Sequence, residues 1–167
     1  MGKAVGLAFA DITKKAKAIE DNMAIAKKQG KDEHCVDLQT FIKYEMSAQL
    51  DILNGKTNSK KIKDKSDFRY TYASTARTTL RFLWLMDYLW HLLDILETKP
   101  ELTFKKTSQE AYKIGLAPHH SWAIRKTVEV GMNAVPSREV FLERTKLRME
   151  LMPDAKKHVH NVKEHLW

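Results

Sequence analysis

A single cysteine, Cys35, leaves this 167-residue chain without an internal disulfide or a thiolate zinc cage and points to a reducing compartment. Cys35 itself reads as a small buried filler. Six glycines, four prolines and almost no alternating apolar runs argue against a sheet protein. No uninterrupted apolar stretch approaches the ~18 residues that mark a membrane span. The opening residues, Met1 to Val5, are too few and too weakly apolar for a signal peptide. A soluble, cytoplasmic protein is the expectation. Chemistry is equally sparse, with no phosphate-cradling glycine loop, nucleophile elbow or paired-cysteine motif. His119 and His120 are adjacent, and His158 and His160 are two apart, so neither pair shares a helix face and neither makes a convincing metal cage. The chain is therefore expected to be no enzyme and to carry no metal or cofactor. No repeat, low-complexity tract or linker is visible, so residues 1–167 read as one domain.

What the chain does have is 43% apolar residues, enough for a core, set in long segments of helical period. The expected class is all-α. The first helix runs from about Leu7 to Gln29 and stops at Gly30, a suitable residue just past a helix end. A second spans roughly Glu33 to Leu53, closing at Asn54 and Gly55. A third, with Ser74 as N-cap, continues to about Glu97 before Pro100. A fourth opens at Thr107 or Ser108 and is interrupted at Pro118. A fifth resumes around His120 and ends before Pro136. Ser137 starts a sixth, through about Leu151, and Pro153-Asp154 breaks the chain before a last helix ending at Trp167. The net charge of +8 favours anionic partners. Much of it lies in Lys56 to Lys65, which reads either as a solvated loop or as a membrane-docking patch.

Three helices share one pattern, a polar group at the N-terminal end of an apolar stripe. At about 100° per residue, Arg77, Leu85, Tyr88, Leu92 and Ile95 fall within about 40° of Arg81, whereas Asp87, His91 and Asp94 cluster on the other side. Arg77 and Arg81 are thus expected on the buried face. An inward pair of guanidiniums needs carboxylates from elsewhere or a bound anion, and a phosphate suits both forks. With leucines directly below, the natural guest is an amphiphile. Asp11 and Lys15 form a second polar pair on a mostly apolar face with Leu7, Ala18, Ile25 and Ala26; taken alone they read as an ordinary i,i+4 ion pair. His120 is followed on its expected helix face by Ile124, Thr127, Gly131 and Ala134, and as a lone residue it also fits a satisfied core histidine. Packed with those ends together, the three helices would place one polar patch above a greasy interior. Of the four tryptophans, Trp84, Trp90, Trp122 and Trp167, most read as core or interface, with one exposed indole suiting a membrane-touching rim.

Arg77 to Leu96 (RTTLRFLWLMDYLWHLLDIL) resembles the central helix of the glycolipid transfer protein superfamily, in its ceramide-1-phosphate transfer branch. Ala111 to Lys126 (AYKIGLAPHHSWAIRK) is similar to the segment of that branch carrying its histidine and tryptophan, and Pro136 to Glu143 (PSREVFLE) to the stretch that follows. The three lie in family order, within roughly Asp11 to Glu143. The resemblance implies a two-layer α-helical sandwich with a headgroup centre on its surface and a collapsible hydrophobic pocket beneath. It further implies that Asp11 accepts the sphingoid amide N–H, that Lys15 meets the headgroup, that Arg77 and Arg81 bind phosphate, and that His120 donates to the acyl carbonyl. In the glycolipid-binding branch a sugar-stacking tryptophan stands at the Arg81 position; arginine here argues for phosphate, and Trp84, about 60° away around the helix, is a weak substitute for the sugar platform. Family members carry a further long helix before the aspartate, where this chain has ten residues, so one wall of the sandwich is expected to be missing. The segment after Glu143 matches weakly.

The resulting expectation is non-enzymatic binding and intermembrane transfer of a ceramide-1-phosphate-like sphingolipid, with transient contact to an anionic membrane surface and no nucleic acid. Two alternatives stand beside it. One is a lipid sensor or inactive shortened form of the same fold. The other is a basic helical module for nucleic acid or an acidic protein, in which Lys56, Lys60, Lys61, Lys63 and Lys65 make the contacts and the arginines belong to a structural ion-pair network.

Overall fold

The computed structural model describes residues 3–53, 58 and 60–165, with the backbone alone described for 3–12 and 165. Among these residues there are helices and no strands, as expected. The α-helices are α1 (Lys3–Lys28), α2 (Leu38–Ser47), α3 (Thr75–Thr98), α4 (Phe104–Gly115), α5 (Trp122–Gly131), α6 (Arg138–Thr145) and α7 (Met152–His165), interspersed with short 3-10 turns. By backbone proximity the chain divides into two compact units, an N-terminal one to Phe82 and a C-terminal one from Leu83 to His165; the division falls within α3.

Three helices end in the same way. At Gly30, with φ of +72°, the amide of Gly30 reaches the Lys27 carbonyl and that of Lys31 the Ala26 carbonyl, the Schellman closure that a left-handed residue permits. Gln49 (φ 55°) and Lys146 (φ 54°) make the equivalent bonds, Leu50 to Glu45 and Leu147 to Leu142. These closures correct two expected boundaries, since α2 ends at Ser47 rather than Leu53 and α6 at Thr145 rather than Leu151. Neither Gln49 nor Lys146 is the glycine that usually marks such a stop. The start of α2 is likewise later than expected, because a 3-10 turn at Asp32–His34 precedes it and Asp37 caps it, accepting from the Thr40 amide at 2.7 Å. α4 begins at Thr103 as N-cap, not at Thr107 or Ser108, both of which are buried along its inner face. Ser137 caps α6 as expected, and Pro153 lies in the first turn of α7 rather than ahead of it.

The N-terminal unit holds a small apolar cluster of Ala26, Cys35 and Phe41, flanked by Met23 and Tyr44. Cys35 is buried there as a filler, its Sγ 3.4 Å from the Lys31 carbonyl, and burial pushes its thiol pKa up. Beside that cluster is a polar interior. Glu45 on α2 is 0% exposed, and its carboxylate accepts from the Tyr72 hydroxyl (2.8 Å), the Ser74 hydroxyl (2.9 Å) and the amides of Thr75 (2.6 Å) and Ala76 (2.7 Å). Two of the free amides at the start of α3 are thereby satisfied by a carboxylate, which also opposes the positive end of the helix dipole. The buried Asn22 of α1 donates to the Ala73 carbonyl and the Thr75 hydroxyl, fixing the same turn from another side.

The C-terminal unit is built on Leu92, Leu93, Ile95, Leu96, Phe104, Ala111 and Met152. A Cβ at Gly115 would lie 2.6 Å from the backbone of Tyr88, so glycine is what lets α4 approach α3 so closely. Asp87, His91 and Asp94, the expected solvent face of α3, are half-buried. There α7 covers them, with Lys163 on Asp87 at 2.7 Å and Lys156 on Asp94 at 2.6 Å and on Glu97 at 3.0 Å.

Candidate functional site

Two turns of α3 beyond Glu45 carry the arginine pair. Ser74 ties the first of them down, its hydroxyl accepting from the Arg77 amide at 3.1 Å. The expectation that the pair faces the buried side is corrected here, because Arg77 and Arg81 are both exposed. In this part of α3 the buried positions are Ser74, Thr75, Thr78 and Thr79, which pack inward beside the Glu45 network and turn the arginines outward. The guanidiniums nevertheless share one feature, a small groove of about 50 Å³, open to solvent and lined by Leu53, Ala73, Ser74, Arg77, Thr78 and Arg81. Among the described residues neither guanidinium has a carboxylate partner. The structural ion-pair network of the alternative reading is therefore not found there. Two like charges one turn apart, on an open groove and without ion-pair partners among the described residues, leave both forks available to hydrogen-bond an anion.

Asp11 belongs to α1, but its side chain lies outside the described residues. Lys15 is half-buried on the inward face of α1, the stripe that also holds Ala18, Asn22, Ile25 and Ala26, whereas Lys17, Asp21 and Lys28 face solvent as expected. Lys15 has interaction partners of its own. Lys60, Lys61, Lys63 and Lys65 are exposed, and Lys56 lies outside the described residues. In the N-terminal unit Ile25, Ala26, Phe41, Tyr44, Phe68 and Tyr72, among others, border an aromatic seam that leaves no room for a water molecule, whereas an ordinary ligand pocket holds ~300–1,000 Å³.

His120 is in the C-terminal unit, and its expected place in a helix is corrected. It follows the 3-10 turn Ala117–His119 with extended backbone (φ −104°, ψ 138°), and Ser121 precedes α5. Its Nδ1 lies 2.9 Å from the hydroxyl of Tyr112, a residue of α4 only 6% exposed. Burial, with His119 adding to it, lowers the pKa of His120, so the ring is neutral at physiological pH. Next to it the ring of His119 stacks on Trp84 with centroids 4.1 Å apart, covering one face of that indole. α5 is exposed along nearly its whole length, with Trp122 at 69% and Val130 at 71%.

Sequence reasoning missed two residues. Glu45 had a visible signal, a carboxylate four positions after Phe41 on the buried face of α2. Tyr112 lay within the segment used for the resemblance but had no role attached to it.

The family model for glycolipid transfer protein matches residues 1–147. The chain belongs to the glycolipid transfer protein family. The ceramide-1-phosphate transfer protein of Mus musculus is 30% identical over 172 residues, an alignment covering 98% of this chain and 75% of the mouse protein. The crystal structure of the apo mouse protein matches over 98% of this chain and 74% of its own, with a TM-score of 0.70 at 28% identity. The human protein in complex with 12:0 ceramide-1-phosphate matches over 99% of this chain with a TM-score of 0.71; at 24% identity this supports the fold. Family membership in this branch and the all-α fold are thus as the motifs implied. Among the described residues no helix is long and apolar enough to cross a membrane.

Proposed function

We propose that this chain binds a phosphorylated sphingolipid of the ceramide-1-phosphate type and carries it between membranes, making and breaking no covalent bond. The observation that carries this reading is the arginine groove, with two guanidiniums at i and i+4, exposed and without carboxylate partners among the described residues. Arg77 and Arg81 hold the phosphate in fork geometry and Lys15 adds charge. Asp11 accepts the sphingoid amide N–H, and His120 donates to the acyl carbonyl. Family membership supports these roles, and His119 occupies one face of Trp84 on which a sugar would otherwise stack.

Magnitudes divide the work. Sheltering a methylene is worth ~0.8 kcal/mol, so a ~16-carbon chain regains on the order of 12 kcal/mol of what leaving the bilayer costs. Because the aromatic seam leaves no room even for a water molecule, a hydrocarbon chain enters that region only as Phe41, Tyr44, Phe68 and Tyr72 move apart. Charge-assisted bonds to the headgroup, ~1.5–3 kcal/mol each, then decide which lipid is taken. Exposed Trp122 and Val130 on α5 suit contact with a bilayer interface, and the exposed lysines at 60, 61, 63 and 65 separately suit an anionic surface. The test is transfer of fluorescent ceramide-1-phosphate between vesicles. Arg77→Leu and Arg81→Leu should each abolish it while far-UV helicity stays intact, and unchanged transfer by both variants would remove the phosphate role.

A further inference from the structure

We propose that Tyr112 fixes the tautomer of His120 with its proton on Nε2, so that the histidine offers the lipid a donor and selects N-acylated phosphosphingolipids over unacylated ones. The selectivity rests on the function proposed above; the tautomer rests on the structure alone.

The argument is an accounting of hydrogens. The Tyr112 hydroxyl lies 2.9 Å from His120 Nδ1, and that is its one hydrogen-bond contact among the described residues. Burial raises the phenol pKa, with Glu129 adding to it and Arg125 opposing, so the group keeps its proton. A buried O–H needs an acceptor. If Nδ1 carried the imidazole proton, it would donate to the phenol oxygen and the phenol hydrogen would be left without an acceptor among the described residues, at a cost of about 1–3 kcal/mol where water does not reach it. If the phenol donates to Nδ1 instead, each hydrogen finds a place. The imidazole proton is then on Nε2, which has no hydrogen-bond partner among the described residues. Two local features hold the ring for this purpose. The His120 amide donates to the Ala117 carbonyl at 3.2 Å, closing the 3-10 turn, and His119 is pinned against Trp84.

Acceptance at Nδ1 polarises the ring and strengthens the Nε2–H donor. An acyl carbonyl meets that donor as an acceptor. An unacylated sphingoid phosphate has an ammonium in place of the amide, so two donors would oppose each other. The opposite tautomer would reverse the preference, presenting a lone pair that repels a carbonyl and welcomes an ammonium. Tyr112 thereby acts as a positioning residue, setting the sign of the selection without touching the lipid.

The tautomer is read directly from long-range proton–nitrogen correlation of the lipid-free, nitrogen-15-labelled protein, with His120→Gln identifying the signals. The expected spectrum has a pyrrole-type Nε2 and a pyridine-type Nδ1 for His120; a protonated Nδ1, or shifts averaged between the two, overturns the assignment. The wild-type spectrum decides this even if Tyr112→Phe does not fold. Where the variant folds, the preference for vesicles bearing ceramide-1-phosphate over vesicles bearing sphingosine-1-phosphate should fall about tenfold, the scale of one net hydrogen bond. An undiminished preference overturns the positioning role. A wild type that takes up neither lipid overturns the selectivity together with the proposed function, and the spectrum still decides the tautomer.

Discussion

The two units bury opposite kinds of interior with the same helix. In the N-terminal unit α3 turns inward Ser74, Thr75, Thr78 and Thr79, beside Glu45 and Asn22. In the C-terminal unit it turns inward Leu92, Leu93, Ile95 and Leu96. Hydrogen bonds are directional and burial of apolar surface is not, so the polar interior fixes the rotation of α3 about its axis at the turns that carry Arg77 and Arg81. The leucines fill volume. A groove whose width depends on where two guanidiniums point is thus built over the part of the molecule with the more exacting geometry.

That contrast can be broken at each end. Glu45→Ala removes the acceptor of four buried donors and should cost about 4 kcal/mol in urea unfolding. Leu96→Ala, a truncation in the apolar interior, should cost about 3 kcal/mol. A larger loss from Leu96→Ala than from Glu45→Ala would mean that the polar interior contributes less than its bond count implies. Gly115→Ala forces a methyl against the Tyr88 backbone and should cost about 2 kcal/mol, with α4 displaced from α3. The smallest stability effect belongs to Arg77→Leu and Arg81→Leu, under ~0.5 kcal/mol each, as exposed side chains without ion-pair partners. Their effect should appear in lipid transfer instead.

The same contrast explains what could be read from residues alone. The all-α class, the C-terminal end of α1 and the leucine face of α3 followed from periodicity and from Gly30. The inward arginines did not hold, because a wheel anchored on Leu92 and Ile95 centres the buried stripe on Arg81. Thr75 and Thr78 lie about 120° and 60° from Arg81 around the axis, in line with the buried Leu93 and Leu96, so the stripe is centred to one side of the arginines, and threonine hides this by counting as polar. The early ends of α2 and α6 escaped notice for a related reason. Gln49 and Lys146 adopt the left-handed conformation, which local sequence signals chiefly through glycine. At the site, the residue types were legible and their supports were not. Arg77, Arg81 and His120 stood out by charge and motif, whereas Glu45 and Tyr112 hydrogen-bond to residues outside their own helices, 31 and 8 positions away, and the periodicity within one helix carries no information about such contacts.

Glu45 has one more consequence. By filling the mouth of α3 with its own side chain, it denies any incoming phosphate the rigid rack of backbone amides on which nucleotide-binding loops rely. Whatever anion settles in the groove is gripped by mobile side chains at the water's edge. Such a grip is sensitive to ionic strength and quick to let go, as the proposed transfer between membranes requires.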